Sequence, residues 1–484
     1  MYRTVEQIDA LAAQLAAQHP ALCTLVRLPN PSIKGRTIHA LRLRSADATG
    51  ERRGVLLIGG THARELMNPD LLIELAVDLV AATVNGTDVV LGARRWPAAD
   101  LQLMLRALDV YLLPCVNPDG RTHVLTVDDM WRKNRRDNPG TTCDGVDLNR
   151  NADLLWGVAQ GQTSCRPCTD IYAGSAAFSE PETRNVKHLL DSFRIHCFAD
   201  VHSYSELVLH PWGHAATQTT DPAKRFTTLP TGTCQPLADS GYAEYMPAQD
   251  QFRFRTVGQR IVDAIADVRG HVYANQTGFD LYPTTGTQSD YAYSRHIARP
   301  ALGKVYGYTI ETGPWMGNAR DSFHPANPEP VKDEAESGLL AFIQQCICAI
   351  DLLGAAQPAG AFDRLVRVRD DFLATTAAGR AWIALFDRAQ IPLLAAVLAD
   401  ERLRARATQT LSAVAALLAD PGNRLGRDLT DPAAALLRDL ATGDVADDVA
   451  DDVRAVITRL ERLAGRTVEE SLRDLMGEGP RGES

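Results

Sequence analysis

Two histidines and one glutamate have the residue types and spacing of a metal site. His62 and Glu65 stand three residues apart, directly after the apolar run 55–58 and a Gly-Gly pair. His202 lies far downstream, at the end of a second apolar run. Two imidazoles and a carboxylate form a zinc-binding set that leaves one coordination position open. An open zinc site beside a carboxylate base hydrolyses amides or esters, so the first hypothesis is a metal-dependent hydrolase.

The flanking patterns place these residues in a chain of alternating helices and strands. A buried strand at 54–58 precedes His62, and Asn68 and Pro69 read as the N-cap and first residue of a helix running to about residue 84. The ligands would therefore lie beyond the carboxyl ends of strands, where open α/β sheets bind ligands. Further strands are predicted at 24–28, 37–44, 109–116, 195–202, 206–211 and 304–311, and helices at 4–18, 97–107, 181–193, 253–268 and 332–352.

Length and composition indicate more than one domain. The chain has 484 residues, of which 45% are hydrophobic, and this is enough for a large core. A composition shift predicts a first domain over residues 1–353, a linker at 354–360 and an all-α domain at 361–476, where apolar residues recur at helical spacing. Residues 477–484 are expected to be disordered.

The charge balance and the N-terminus narrow the partners and the location. A net charge of −10 argues against general binding of nucleic acid or of a membrane surface. There is no run of about 18 apolar residues, so no transmembrane span is expected. The N-terminus lacks the features of a signal peptide. We therefore expect a cytoplasmic protein from the sequence as given, or a secreted one if a leader has been removed.

Eight of the nine cysteines fall into two groups. Cys23, Cys115, Cys197, Cys346 and Cys348 have apolar neighbours and are interpreted as buried thiols. Three more flank a loop rich in small and polar residues, and they leave two alternatives open. The first is a Cys143–Cys168 disulfide, and the second is a local redox or metal pair formed by Cys165 and Cys168.

Further motifs follow the histidine motif in a fixed order. They are Val-Asn-Pro-Asp-Gly-Arg at 116–121, Trp-Arg-Lys-Asn-Arg at 131–135, Gly-Val-Asp-Leu-Asn-Arg-Asn at 145–151, Val-His-Ser-Tyr at 201–204 and Ile-Glu-Thr-Gly at 310–313. Together with the histidine motif they resemble the M14 family of zinc carboxypeptidases over about residues 1–353. The resemblance implies an α/β fold with a mixed, mostly parallel, twisted sheet flanked by helices, followed here by the all-α C-terminal domain.

The same resemblance assigns the metal site. His62, Glu65 and His202 correspond to the ligands of one Zn²⁺ per chain, and Asp147 corresponds to the carboxylate that accepts the other ring hydrogen of His62. His210 and His214 are the alternative sources of the third ligand, but the Ser-Tyr pair after His202 favours His202. His188, His196, His210 and His214 are interpreted as structural or surface residues.

The resemblance also implies catalytic and carboxylate-binding groups. Glu311 matches the general base, which takes a proton from the attacking water and passes it to the leaving amine. Arg132 is similar to the arginine that stabilises the oxyanion. Asn149 and Arg150 match the pair that binds the terminal carboxylate of the substrate, with Arg135 in support. Such a pair restricts cleavage to a C-terminus.

Specificity is predicted from the same alignment of motifs. Tyr282 matches the mobile tyrosine that covers the substrate, and Arg64 and Tyr204 would line the outer subsites. The implied pocket contains no charged residue, so an uncharged C-terminal side chain is expected. Non-proline cis peptides are expected at 203–204 and 211–212. The pocket residues are Gly213, Thr277, Leu281, Thr284, Ser289 and Thr309.

The functional hypothesis is therefore a zinc metallocarboxypeptidase acting on peptide or protein C-termini. One alternative is an amidase for a specialised cell-wall or biosynthetic peptide. Another is a pseudoenzyme that serves as a binding module. Residues 361–476 are expected to form an oligomerisation surface, a lid, or a docking module for a protein substrate.

Overall fold

The computed structural model describes residues 2–46, 52–237, 241–354, 363–441 and 447–479. These residues form two units, one built mainly from the chain up to Cys346 and the other mainly from Ile347 onward. The predicted linker, except for Gly354, and the tail residues 480–484 lie outside the described residues. The predicted domain boundaries stay a prediction.

The strands of the first unit centre on one large sheet. In chain order they are β1 (Cys23–Arg27), β2 (His39–Leu43), β3 (Arg53–Gly59), β4 (Val89–Leu91), β5 (Arg94–Trp96), β6 (Leu108–Leu113), β7 (Ile195–His202), β8 (Leu207–His210), β9 (Thr217–Thr219), β10 (Ala243–Tyr245), β11 (Ala274–Thr277) and β12 (Tyr306–Glu311). Eight of them pair in the order β1-β2-β6-β3-β7-β12-β8-β11. Four of the seven pairs are parallel, which confirms the expected mixed, mostly parallel sheet.

Helices accompany this sheet through the first unit. They are α1 (Val5–Gln18), α2 (Met67–Asn85), α3 (Ala98–Ala107), α4 (Pro118–Thr126), α5 (Pro181–Ser192), α6 (Ala248–Arg269), α7 (Gly278–Leu281), α8 (Gln288–Ala298), α9 (Ala319–Phe323) and α10 (Glu329–Gln345). The predicted cap at Asn68 is wrong. Leu66 already has helical backbone angles, so α2 begins one residue before Asn68. The Asn68 side chain instead accepts a hydrogen bond from Thr312 Oγ1 at 3.0 Å.

Strand β3 shows why the sequence forms a central parallel strand. All seven of its residues are buried, as expected for a strand covered on both faces. Gly60 follows it with a φ of +65°, where a Cβ would meet the Pro69 ring at 2.8 Å. Glycine therefore allows the sharp turn from β3 into the segment that carries His62.

The second unit is helical, which confirms the all-α region. Its helices are α11 (Ala349–Gly354), α12 (Asp363–Arg367), α13 (Ala377–Ala399), α14 (Glu401–Leu417), α15 (Arg427–Ala441), α16 (Asp447–Leu463) and α17 (Val468–Gly477). Leu385, Ala389, Ala434, Val453 and Ile457 belong to its apolar core. An apolar cavity of about 410 Å³ lies among these helices.

One described helix, α13, is long and apolar enough to cross a membrane by length and composition, although it has no unbroken run of 18 apolar residues. About 44% of its most apolar window is buried within the protein. Core helices of globular proteins meet the same criterion, so α13 is only weak evidence for a membrane span.

Three disulfides are present among the nine cysteines. Of the two alternatives for the loop cysteines, the structure shows the Cys143–Cys168 disulfide. Cys165 bonds to Cys234, so it forms no local pair with Cys168. The interpretation of Cys197 and Cys346 as free thiols is wrong, because the fold brings these distant residues together in a disulfide. The remaining three, Cys23, Cys115 and Cys348, are buried free thiols, as predicted.

Candidate metal and active site

The three predicted metal ligands converge at the carboxyl ends of two adjacent strands. His62 and Glu65 lie in the turn after β3, and His202 ends β7, the parallel neighbour of β3. His62 Nδ1 lies 2.7 Å from Glu65 Oε1 and 3.0 Å from His202 Nδ1. His202 Nδ1 lies 3.0 Å from Glu65 Oε2. The side chains are buried, with exposures of 4, 2 and 1% for His62, Glu65 and His202.

The outer nitrogens of the two imidazoles face carboxylates. His62 Nε2 lies 3.2 Å from Asp147 Oδ1, and His202 Nε2 lies 2.9 Å from Asp200 Oδ2. A hydrogen on each Nε2 leaves the Nδ1 lone pairs of both rings free to bind a metal ion together with the Glu65 carboxylate. Two imidazole nitrogens and a carboxylate within 4.8 Å of one another match the donor set of a catalytic zinc site.

Asp147 is the buried acceptor that connects His62 to a basic cluster. Its Oδ2 lies 3.0 Å from Arg132 Nη2, and its Oδ1 accepts the Asn149 backbone N–H at 2.9 Å. Burial on its own raises the pKa of the Asp147 carboxyl. The charges of Arg132, Arg150 and His62 outweigh burial, and the pKa lies well below its usual range. Asp147 is therefore ionised and fixes the ring of His62.

Glu311 ends β12 beside the metal group. In the parallel register of β12 with β7, Glu311 stands opposite His202, and the Thr312 N–H donates to the His202 carbonyl at 2.8 Å. Burial raises the pKa of Glu311 to about 7, with a further contribution from the Glu65 carboxylate and opposition from His202 and Arg132. A carboxylate with a pKa near the working pH can both accept and return a proton.

The predicted carboxylate-binding residues lie next to the metal group. Asn149 Nδ2 is 3.3 Å from His202 Nε2, and Asn149 Oδ1 accepts the Gln288 N–H at 2.9 Å. The Arg150 guanidinium is buried and donates to the carbonyls of Gln162 and Asn149 at 2.5 and 2.6 Å. It also lies 6.0 Å from the centre of the Tyr282 ring. The structure thus brings Tyr282 to Arg150, while the binding roles stay predictions.

The predicted specificity pocket contains hydroxyl groups. Thr309 Oγ1 donates to Ser289 Oγ at 3.0 Å, and both residues are buried. The Thr284 N–H donates to the Gly213 carbonyl at 2.8 Å, so these residues also lie together. The Gly213 N–H donates to Asp290 Oδ2 at 2.8 Å. The side chains at these predicted pocket positions are uncharged. The nearby carboxylate of Asp290 is held by the Gly213 backbone N–H.

Arg64 and Tyr204 both pack against Phe323. The Arg64 guanidinium is 4.6 Å from the Phe323 ring centre, and the Tyr204 ring is 4.8 Å from it. The Ser203–Tyr204 and Pro211–Trp212 peptides are both cis, as expected from the family resemblance.

Asp200 is a functional candidate that the sequence reasoning missed. It accepts a hydrogen bond from Thr61 Oγ1 at 2.9 Å and faces His202 Nε2. The available signal was its position two residues before His202, because alternate residues of a strand share a face. His210 and His214 are not part of the metal-binding group among the described residues. His210 stacks on Phe254, and His214 binds Glu244.

Comparison with known proteins agrees with this geometry. The profile of the family described as "Zinc carboxypeptidase" matches residues 8–327. Carboxypeptidase B of Helicoverpa zea is 29% identical over 352 residues, covering 70% of this chain and 69% of the relative. Zinc carboxypeptidase A 1 of Anopheles gambiae is 29% identical over 349 residues, covering 71% and 67%.

Solved structures share the fold. Thrombin activatable fibrinolysis inhibitor is 21% identical to this chain, with a TM-score of 0.56 and coverage of 72% of this chain and 74% of the other. The family profile spans most of the chain and includes the predicted ligands, and members of this family use zinc. The chain therefore belongs to the M14 family of zinc carboxypeptidases, exopeptidases that hydrolyse peptide bonds at a C-terminus.

Proposed function

We propose that this carboxypeptidase releases uncharged C-terminal residues from peptides, with Glu311 as its general base. The observation that carries the proposed preference is the Thr309–Ser289 hydroxyl pair in the pocket. A polar but uncharged wall offers a hydrogen bond to a small polar side chain. It offers no opposite charge to Lys, Arg, Asp or Glu, whose charged groups would lose water on entry.

The residues of the chain support the following division of work. Bound zinc, held by His62, Glu65 and His202, would polarise the scissile carbonyl and acidify water. Glu311 accepts the proton of the attacking water and passes it to the leaving amine. The Arg132 guanidinium stabilises the negative charge that develops on the carbonyl oxygen.

Binding at the C-terminus falls to a second group of residues. Asn149 and Arg150 bind the substrate carboxylate, and Tyr282 covers it. Arg64 and Tyr204 contact the substrate chain before the scissile bond. Because a buried guanidinium requires an anionic partner, peptides with an amidated C-terminus should be poor substrates.

The test is release of C-terminal amino acids from a mixed peptide library, with the zinc content measured on the same sample. We expect about one zinc per chain and release of Leu, Phe, Thr or Asn ahead of Arg and Glu. Glu311→Gln keeps the shape of the side chain and removes the base, so release should fall by roughly two to four orders of magnitude with zinc retained. Arg or Glu released a hundredfold faster than the uncharged residues would refute the preference.

The same library separates the alternatives. Zinc with release only from a cell-wall or modified peptide supports the specialised amidase. A chain that holds no zinc and releases nothing supports the binding module.

We also propose that the protein works in an oxidising compartment. The three disulfides support this over the cytoplasmic location expected from the N-terminus, because structural disulfides persist mainly in oxidising surroundings. Thiol titration of protein isolated from its source and denatured without reductant tests it. Three thiols support the oxidised form, whereas nine would refute it.

For the helical region 361–476 we propose a surface for self-association or for a protein partner. Its apolar core and its cavity of about 410 Å³ give it the means to take up an apolar segment. Light scattering on the whole chain and on a chain ending at residue 353 measures self-association. This role would be refuted if the whole chain and the shortened chain formed particles with the same number of chains and also captured the same proteins from the source.

A further inference from the structure

Glu244 is a buried carboxylate that the proposed catalysis does not use. Its side chain is fully buried and accepts hydrogen bonds from the backbone N–H groups of Phe226 and Tyr245, each at 3.1 Å, and from the Tyr242 hydroxyl at 3.0 Å. His214 Nε2 is its fourth partner, at 2.9 Å. Four donors face this carboxylate, and a buried charge requires an opposite one. His214 is placed to supply it.

The His214–Glu244 pair is connected to the predicted specificity pocket through Gly213. His214 follows Gly213, whose N–H binds Asp290 Oδ2, and Asp290 follows Ser289. Asp290 is only 3% exposed. One imidazole therefore adjoins two buried carboxylates, Glu244 through a hydrogen bond and Asp290 through a single backbone step. His214 Nδ1 is buried and has no hydrogen-bond partner among the described residues, so the contact of this ring with Glu244 is made through Nε2 alone.

The charges of these groups act on the pocket through buried surroundings. Ser289, Thr309 and Thr284 are uncharged, and they are buried, so water screens the field weakly. Burial raises the pKa of the Asp290 carboxyl, and the strongest opposing influence is the charge of His214. His214 and Asp290 are thus electrostatically linked as well as neighbours along the backbone.

We infer that His214 and Glu244 set the electrostatic potential of the specificity pocket and so determine which C-terminal side chains it accepts. The inference rests on the proposed function. Neither residue touches the substrate; both act through the electrostatic potential in the pocket. Removal of the imidazole makes the group one unit more negative and should favour basic side chains. Removal of the carboxylate makes it one unit more positive and should favour acidic ones.

The experiment compares His214→Gln and Glu244→Gln with the wild type on blocked peptides that differ only in a C-terminal Lys, Leu or Glu. Because a unit charge acts across a partly screened protein interior, we expect His214→Gln to raise the Lys/Leu ratio of kcat/KM by roughly 3- to 10-fold. Glu244→Gln should lower that ratio and raise the Glu/Leu ratio by a similar factor. The double variant restores the net charge, so its ratios should return to within about twofold of the wild type.

Tyr242→Phe is the matched control, because it removes one hydrogen bond to Glu244 without changing charge. Its ratios should stay near those of the wild type. Folded variants whose ratios do not move, or move in the same direction, would overturn the inference, because a merely structural role cannot produce opposite shifts.

Equilibrium binding of acetyl-Lys, acetyl-Leu and acetyl-Glu to the same proteins provides a second readout without turnover. Opposite shifts in binding with no peptide release by the wild type would refute the proposed function and support the role of the pair. Peptide release with unmoved binding ratios would do the reverse.

Discussion

Replacement of Ser289 with Asp should convert the pocket to one that prefers Lys and Arg. Ser289 is 8% exposed and accepts a hydrogen bond from Thr309, so a carboxylate at this position would be largely shielded from water. A basic group about 4 Å away gains about 4 kcal/mol at an effective dielectric constant of about 20. Loss of hydration by both charges offsets about half of this. A net gain of about 2 kcal/mol is roughly a 30-fold rise in the Lys/Leu ratio of kcat/KM.

The assay is steady-state hydrolysis of blocked peptides ending in Lys, Arg or Leu, with circular dichroism to establish that each variant is folded. Ser289→Asn is the control, since it has nearly the same volume as Asp and no charge, and its Lys/Leu ratio should stay within a few-fold of the wild type. If folded Ser289→Asp shows the same ratio as Ser289→Asn, position 289 does not face the departing side chain and the pocket is assigned incorrectly.

Three further predictions concern the metal and a buried acid. Asp200→Asn should weaken zinc binding about 10- to 100-fold, because His202 loses its anionic partner; competition with a chelating dye measures this, and unchanged affinity would contradict it. Dialysis against a chelator should lower the melting temperature, and added Zn²⁺ should restore it. A melting temperature that changes with neither treatment would argue against a zinc site in the folded protein. Burial, reinforced by Asp78, holds the pKa of Glu336 well above its usual range, so the unfolded chain ionises first as the pH rises above about 4.5 and the native state loses stability. Glu336→Gln should therefore raise the melting temperature at pH 8 and leave it nearly unchanged at pH 4, and equal effects at both pH values would rule out this origin.

The sequence predicts the sheet and the metal group well because both follow from local signals. An apolar run such as β3 can only be a buried strand or helix, and its length and its glycine-rich end indicate a strand. The ligands then follow from their positions at strand ends. The start of α2 was less predictable, because Leu66 adopts helical angles without any capping side chain. The Asn68 side chain accepts a hydrogen bond from Thr312 instead of capping the helix.

Contacts between distant segments account for what the sequence did not predict. The Cys197–Cys346 disulfide joins residues 149 positions apart, and no local pattern marks one buried cysteine as the partner of another. The His214–Glu244 pair similarly requires that β9 and β10 lie side by side. Because His214 follows the predicted ligand His202 along the chain, the sequence alone leaves it as an alternative ligand; the fold shows that it binds Glu244 instead.

The hydrogen-bonded register between β7 and β12 has a consequence for how this enzyme can change. It sets His202 opposite Glu311 through backbone groups, which are the same whatever side chains surround them. The predicted pocket residues Gly213 and Ser289, by contrast, lie in a loop and in the first turn of α8. Substitutions there are expected to alter selectivity without moving Glu311 relative to His202, because such a movement would require the whole hydrogen-bonded ladder to slip by a residue. Selectivity can therefore diverge among descendants of this chain while the chemistry is inherited intact.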